Sequence, residues 1–260
     1  MVTNINPFIR PLLIVFFAIK MFGETAVAQG KQEYFQIRVY HYTTLQQERT
    51  IDTYLERAFI PAAHRQGFAN VGVFKPIEQK AERLIYVLLT SKNLLKLVNL
   101  DAQLKRDNGY LKEGESYLQA AYDNPPFDRI ETILLKAFRG MPQAKLPKLS
   151  GGRHERVYEL RSYEGATERL SENKIDMFNN GEIDIFEKLN FNAVFYGQVI
   201  AGSTMPNLMY MTTFNDMADR NEHWKSFGPL YKPMHDMPEY QNNVSKNVTL
   251  LLRPVAYSDY

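Results

Sequence analysis

The chain has no cysteine among its 260 residues. That excludes disulfides, thiolate metal sites, cysteine nucleophiles and a lipid-modified N-terminal cysteine, so stability must come from the core alone. An excess of one charge is also missing. The 31 basic and 29 acidic side chains give no reason to expect nucleic-acid binding or a polybasic membrane patch. The five histidines, at 41, 64, 154, 223 and 235, form no H-E-x-x-H or H-x-H pattern. P-loop, nucleophile-elbow and Gly-rich dinucleotide motifs are absent as well. The sequence therefore predicts no metal and no cofactor. Tryptophan is nearly absent, with Trp224 alone against 16 Tyr and 16 Phe, so buried surfaces should be rich in phenol and phenyl rings.

The N-terminus reads as an export signal. Arg10 precedes the apolar run Leu12–Ile19, and Ala26-Val27-Ala28 is an A-x-A cleavage site that would leave Gln29 first. The run falls short of the roughly 20 apolar residues a spanning helix needs, so residues 1–28 are expected to be removed without leaving a membrane anchor. A periplasmic or secreted location follows, consistent with a cysteine-free chain.

Beyond the signal, Tyr34–Tyr42 alternates like a strand, and Ile51, Tyr54, Leu55, Ala58, Phe59 and Ala62 recur at helical spacing. Strands near 68–76 and 84–90, helical segments near 91–108 and 112–122, and a strand at 130–138 complete a β-α-β-β-α-β unit. The Pro/Gly-rich stretch 139–153 reads as a solvated tether. The unit then recurs at 154–256. Arg38 and Arg161, Tyr40 and Tyr163, and Phe68 and Phe191 each lie 123 residues apart. Tyr86 and Tyr210 lie 124 apart, which predicts one inserted residue in the second hairpin. Gly228-Pro229 should end the second unit's last long helix at Phe227. The predicted fold is α+β: two tandem ferredoxin-like repeats, 33–138 and 154–256, packed sheet to sheet as an intramolecular dimeric α/β barrel.

Period-two alternation divides each first strand into two faces. Ile37, Val39, Tyr158, Leu160 and Ser162 suit the face beneath the helices. Gln36, Arg38 and Tyr40, with Glu159, Arg161 and Tyr163, would then point away from the helices into a shared polar-aromatic interior. Burying an arginine costs several kcal/mol unless it is paired, so these groups should form a network or meet a ligand. The candidate cleft-lining residues are Arg38, Tyr40, Glu159, Arg161, Tyr163, Tyr86, Tyr210 and Trp224. Each also has a purely structural reading, as polar links between sheets or as core.

V-Y-E-L-R-S-Y at Val157–Tyr163, N-F-N-A-V-F-Y-G at Asn190–Gly197, N-L-M-Y-M-T-T-F-N-D-M at Asn207–Met217 and R-N-E-H-W-K-S-F-G at Arg220–Gly228 resemble the NIPSNAP family. The resemblance covers the second repeat nearly throughout, and the first reads as a diverged copy. It implies the dimeric α/β-barrel fold and little chemistry. The eukaryotic members' mitochondrial and vesicle-traffic setting is not carried over, because the export signal departs from it. The functional reading is an exported binding or interaction module, with a small-molecule ligand or a protein partner and room for self-association through other surfaces. The alternative is a cofactor-independent oxygenase or isomerase, in which Arg38 or Arg161 holds an anion and a Tyr or His moves a proton. A third reading is haem binding through His64 or His235.

Overall fold

The computed structural model describes residues 32–78 and 80–260; the expected export signal, 1–28, lies outside the described residues. The first half runs β1 (Tyr34–Tyr42), α1 (Leu45–Tyr54), a π-turn (Leu55–Phe59), α2 (Ile60–Arg65), β2 (Val71–Pro76) and β3 (Arg83–Ser91). Four short helices follow, α3 (Leu94–Val98), α4 (Leu100–Leu104), α5 (Asn108–Glu113) and α6 (Glu115–Leu118), before β4 (Arg129–Ala137). The second half runs β5 (Val157–Glu164), α7 (Glu168–Met177), a π-turn (Phe178–Glu182), α8 (Ile183–Lys188), β6 (Phe195–Ala201), β7 (Asn207–Phe214), α9 (Met217–His235) and β8 (Lys246–Pro254).

Local chemistry sets the helix starts. Thr44 caps α1 in a reciprocal capping box with Gln47, and Thr167 and Asp216 cap α7 and α9. The two π-turns fall at the same place in the two halves, 123 residues apart. Each interrupts the α ladder of its helix at mid-length, a feature often found beside functional sites.

The strands close into an antiparallel barrel in the order β1-β3-β2-β8-β5-β7-β6-β4. Within each half the order is the same, with the first strand between the third and fourth. The halves join through β2–β8 and β4–β6, so no sheet edge is left open. The C-terminal tail reinforces the junction: Asp259 meets His64 at 2.8 Å, and Tyr257 donates to Asp52 at 2.6 Å.

Pairing registers correct one expectation. Arg38 lies opposite Val87 and Arg161 opposite Tyr210, while Val39 faces Tyr86 and Ser162 faces Met209. Val87, not Tyr86, is therefore the counterpart of Tyr210, and the pairing needs no inserted residue. Leucine and tyrosine recur in both strands, so letter matching found a false offset. Helix α9 also continues through Gly228-Pro229 to His235. Trp224, Phe227 and Tyr231 pack its inner side onto the second-half core, and that burial outweighs the hydrogen bonds lost at Pro229 and Pro233. The stretch 139–153 is largely solvent-facing, as expected, but it is pinned rather than loose. Met141 is buried, Gly140 N donates to Asn179 Oδ1, Lys145 N to Val194 O, and Ser150 N to Asn215 Oδ1.

The largest correction concerns the strand faces. The barrel interior is a packed apolar core containing Phe35, Ile37, Val39, Phe74, Tyr158, Leu160 and Leu252. Its rings meet across the barrel, with Phe35 on Phe195 at 5.1 Å and Phe74 on Tyr158 at 4.9 Å. Arg38, Tyr40, Glu159, Arg161 and Tyr163 point the other way, toward the helices, so the expected polar interior cleft does not exist. The reason is partner supply. An eight-stranded barrel is just wide enough to be filled by side chains, and here they are apolar. The helix layer instead offers Asp101, Arg220 and Trp224 as partners. An arginine unpaired inside the barrel would cost several kcal/mol, more than burying one further aliphatic side chain returns.

Candidate functional site

Strand β5 directs Glu159, Arg161 and Tyr163 against α7 and α9. Glu159 is fully buried, and four donors surround its carboxylate. Arg161 Nε lies 2.6 Å from Oε1, Arg220 Nε 2.7 Å from Oε2, Trp224 Nε1 2.9 Å from Oε2, and Arg220 Nη2 3.2 Å from Oε1. Burial works against the charge on Glu159, but Arg220, Arg161 and the Trp224 N–H outweigh it and hold the carboxyl below its usual range. The Arg161 guanidinium stacks 3.8 Å from the Trp224 ring centre and donates to Tyr163 OH at 3.2 Å. Tyr163 OH in turn meets Tyr210 OH at 2.9 Å.

Behind Tyr163 lies a second charged group that the sequence reading did not single out. Lys174, on α7, and Glu182, at the end of the π-turn, are each 2% exposed and paired at 2.7 Å. Burial pushes the Glu182 carboxyl up, and Lys174 only partly offsets it. Lys174 Nζ also donates to Tyr231 OH at 3.1 Å and approaches Met177 Sδ at 3.4 Å. An added Cβ at Gly181 would meet only the methyl of Met234 on α9, the movable end of a flexible side chain.

Lys174, Tyr163 and Tyr231 form one wall of a cavity of about 530 Å³, within the range small-molecule sites occupy. His235, at the end of α9, and the loop before β8 form the rest. That loop turns at Asn242 with φ +59°, a left-handed conformation asparagine tolerates, and the next residue, Asn243, is buried. Asn243 Nδ2 donates to Asn173 Oδ1 at 3.0 Å and lies 3.8 Å from Met177 Sδ. The wall is thus phenols, amides and one buried ammonium.

The predicted site residues separate into three groups. Glu159, Arg161, Tyr163, Tyr210 and Trp224 join in one network on the helix side of the second half, and only Tyr163 of these lines the large cavity. Arg38 and Tyr40 occupy the equivalent position in the first half. There Arg38 donates to Gln36 at 2.9 Å and Asp101 at 2.8 Å, and Tyr40 packs edge-on against Tyr117 and Phe127. Tyr86 belongs to the barrel interior, where burial pushes its hydroxyl up to about 12. His64, named as an axial-ligand candidate, is tied to Asp259, whereas His235 lines the cavity. Among the described residues no group of three or more His, Asp or Glu side chains is arranged to hold a metal ion.

Lys174, Glu182, Tyr231 and Asn243 were missed. For the first two a signal existed. Lys174 falls on the helix face defined by Leu170, Met177 and Phe178, where a charge is out of place. At the 123-residue offset, Ile51 and Phe59 stand where Lys174 and Glu182 do. Tyr231 was obscured by the expectation that the helix stopped at Phe227.

The closed eight-stranded barrel with outer helices is a dimeric α/β-barrel fold formed within one chain. Residues 158–259, nearly the whole second half, match the NIPSNAP protein family. No curated protein matches the chain in sequence. Among solved structures it is similar to a candidate monooxygenase from Fusobacterium nucleatum, at 9% identity and a TM-score of 0.58, over 86% of this chain and 93% of that one. A candidate monooxygenase from Lactobacillus acidophilus superposes at 11% identity and a TM-score of 0.50, over 86% and 94%. An anthrone oxidase-like protein does so at 10% identity and a TM-score of 0.50, over 87% and 93%. At these identities the likeness is one of fold. No helix among the described residues is long and apolar enough to cross a membrane.

Proposed function

We propose that this chain is an exported small-molecule-binding protein, built from a NIPSNAP domain and a diverged first copy of it, whose site is the cavity of the second half. The observation that carries the reading is the buried Lys174–Glu182 pair, whose Lys174 lines a roughly 530 Å³ cavity. A buried ion pair rarely stabilises more than well-packed apolar side chains of the same volume, and the first half uses Ile51 and Phe59 at these positions. A binding role gives the second half's departure a reason. The test is native mass spectrometry of the purified mature protein. The wild type should release a small molecule on denaturation, and Val244→Trp, which fills the cavity from its rim, should not. Equal retention by both, or none by either, ends the reading. Export is checked separately by N-terminal sequencing of protein recovered outside the cytoplasm, with Gln29 expected first.

A catalytic reading has one observation in its favour. Glu182 lies directly behind cavity-lining Lys174, and burial raises its carboxyl above the ordinary glutamate value, the direction a proton-exchanging group needs. It keeps open the cofactor-independent oxygenase or isomerase alternative, in line with the names given to the fold's candidate monooxygenases. Solvent-derived deuterium appearing in a retained ligand, and its loss in Glu182→Gln, would favour that reading over simple binding.

A further inference from the structure

The lining of the large cavity has no spare charge to offer a ligand. Its bases are Lys174 and His235, and each already has a carboxylate, Glu182 at 2.7 Å and Asp236 at 3.3 Å. The three protons of Lys174 go to Glu182, Tyr231 and Met177 Sδ. No acid is among the described lining residues. An anion would find no unpaired cation here and a cation no carboxylate, so either would give up its hydration without a partner.

What the lining does offer is neutral groups of both polarities. Asn243 is only 7% exposed, and its Nδ2 is turned inward to Asn173 Oδ1 and Met177 Sδ. Among the described residues no donor reaches its Oδ1, and that arm is the one left for the cavity. A buried amide oxygen is costly to leave unpaired. Gln241 repeats the pattern, with Nε2 committed to the carbonyls of His235 and Met237 and Oε1 free. Asn247 reverses it: Oδ1 accepts from Thr249 at 3.5 Å, which leaves Nδ2 to donate. Tyr240 OH, also on the lining, has no partner among the described residues and can do both.

The inner rings are not platforms for a flat aromatic ligand. Tyr231 stacks on Phe227 at 5.0 Å and has Lys174 Nζ 5.2 Å from its centre. Tyr163 meets Tyr210 edge-on at 5.5 Å, with Lys174 Nζ at 5.7 Å. Recognition therefore falls to the free amide and phenol groups.

Building on the cavity reading, we infer that the ligand is a neutral polyhydroxylated molecule of monosaccharide size, held through its hydroxyls by Asn243, Gln241, Tyr240 and Asn247. A hydroxyl donates and accepts at once, so one ring of them satisfies two free acceptors, a free donor and a free phenol together.

The experiment is saturation-transfer NMR on the full mature chain with D-glucose, D-galactose and D-mannose, each beside its uronate and its 2-amino sugar, and with cyclohexanol as a ring bearing one hydroxyl. At least one hexose should receive transfer at millimolar concentration. Its charged counterparts and cyclohexanol should bind at least about tenfold more weakly, since each brings an unpaired charge or leaves lining groups unmatched. Tyr240→Phe removes a hydroxyl that holds nothing within the described protein. It should weaken that hexose about two- to tenfold, the range of one neutral hydrogen bond, with the unfolding midpoint unchanged. Asn243→Leu should weaken it at least as much, and Tyr240→Phe keeps the test alive should Asn243→Leu not fold. Absence of transfer to every hexose overturns the assignment. So does a charged counterpart or cyclohexanol within about twofold of the best hexose, or an affinity that Tyr240→Phe and a folded Asn243→Leu both leave unchanged. In any of those cases, a molecule retained by the wild type and lost in Val244→Trp would leave the cavity reading standing and end only the polyol one.

Discussion

The two halves share one strand order, one pair of π-turns and one arginine motif, yet they fill the space between sheet and helices differently. In the first half that space is closed by rings. Tyr54 stacks on Tyr117 at 3.7 Å and donates to or accepts from Tyr110 OH at 3.0 Å, with Tyr40 and Phe127 packed alongside. The cavity near its first helix is only about 180 Å³. In the second half Met177 stands at the position of Tyr54, Lys174 at that of Ile51 and Glu182 at that of Phe59, and the space stays open. The comparison shows how one scaffold can be a plug or a site. Three of the residues that differ lie along α7 and its π-turn, the end of α9 and the loop before β8 form most of the cavity lining, and the barrel beneath keeps its apolar interior in both.

The buried pair is where the comparison can be broken hardest. Lys174→Ala or Glu182→Ala alone should cost about 3–5 kcal/mol, because each strands a buried charge. Lys174→Met with Glu182→Leu, which makes the second half resemble the first, should be neutral or stabilising by about 1–4 kcal/mol. Urea unfolding of the three variants decides it, and single variants no worse than the double would show that the pair is not coupled in the folded protein.

A smaller effect is expected at the arginine motif. Trp224→Phe removes the N–H donated to Glu159 and weakens the stack under Arg161, and should cost about 1.5–3 kcal/mol, the usual worth of a hydrogen bond to a charged group. In the first half the matching arginine sits over Phe59 at 5.2 Å and relies on Asp101 instead. Asp101→Asn should therefore be milder than Trp224→Phe, since that carboxylate is largely exposed. The reverse ranking by chemical denaturation would mean that the outer ion pair, not the ring, holds the motif.

Tyr54→Met tests the plug itself. It copies the second half's residue into the first and should cost roughly 0.5–3 kcal/mol, the ordinary range for one core change. Tyr117 should lose its stacking partner, which near-ultraviolet circular dichroism would register. An unchanged spectrum would argue that the ring stack is not what closes the first half.

The pH dependence separates the two buried glutamates by sign. Glu159 has its carboxyl lowered, so its contribution is present above the ordinary glutamate value and is lost as pH falls through the folded one. Glu182 has its carboxyl raised, so the unfolded chain gives up its proton first. Stability then declines as pH rises from the ordinary value to the folded one and is flat above it. Glu182→Gln should remove that decline and leave the acid limb untouched, while Glu159→Gln should do the opposite. Stability curves that respond identically to both changes would contradict the assigned burial of one of them.

Much of the architecture was legible. The 123-residue offset between Arg38 and Arg161, the alternation of Tyr34–Tyr42 and Val157–Tyr163, and the helical spacing around Ile51 led to two β-α-β-β-α-β units and a barrel. The site was less so. Glu159, Arg161 and Tyr163 were recognised as a group, but alternation by two defines a pair of faces without saying which one meets the helices. Both faces are buried here, so the usual contrast of apolar against wet was missing. Asn243 gave no signal at all, because its place on the cavity wall depends on a turn at Asn242 and on the end of a helix that the prolines were expected to stop.

By itself the sequence determined the number of units, their element order, and the pairing of polar residues two apart on the first strands, because these follow from local periodicity and from repetition along one chain. Tertiary structure decided which side of each strand faced the helices, that α9 runs past Pro229, and that the second half keeps a cavity where the first is filled. Those outcomes depend on which partners meet in space. A buried arginine goes where a carboxylate can reach it, and a helix continues where its rings find a core.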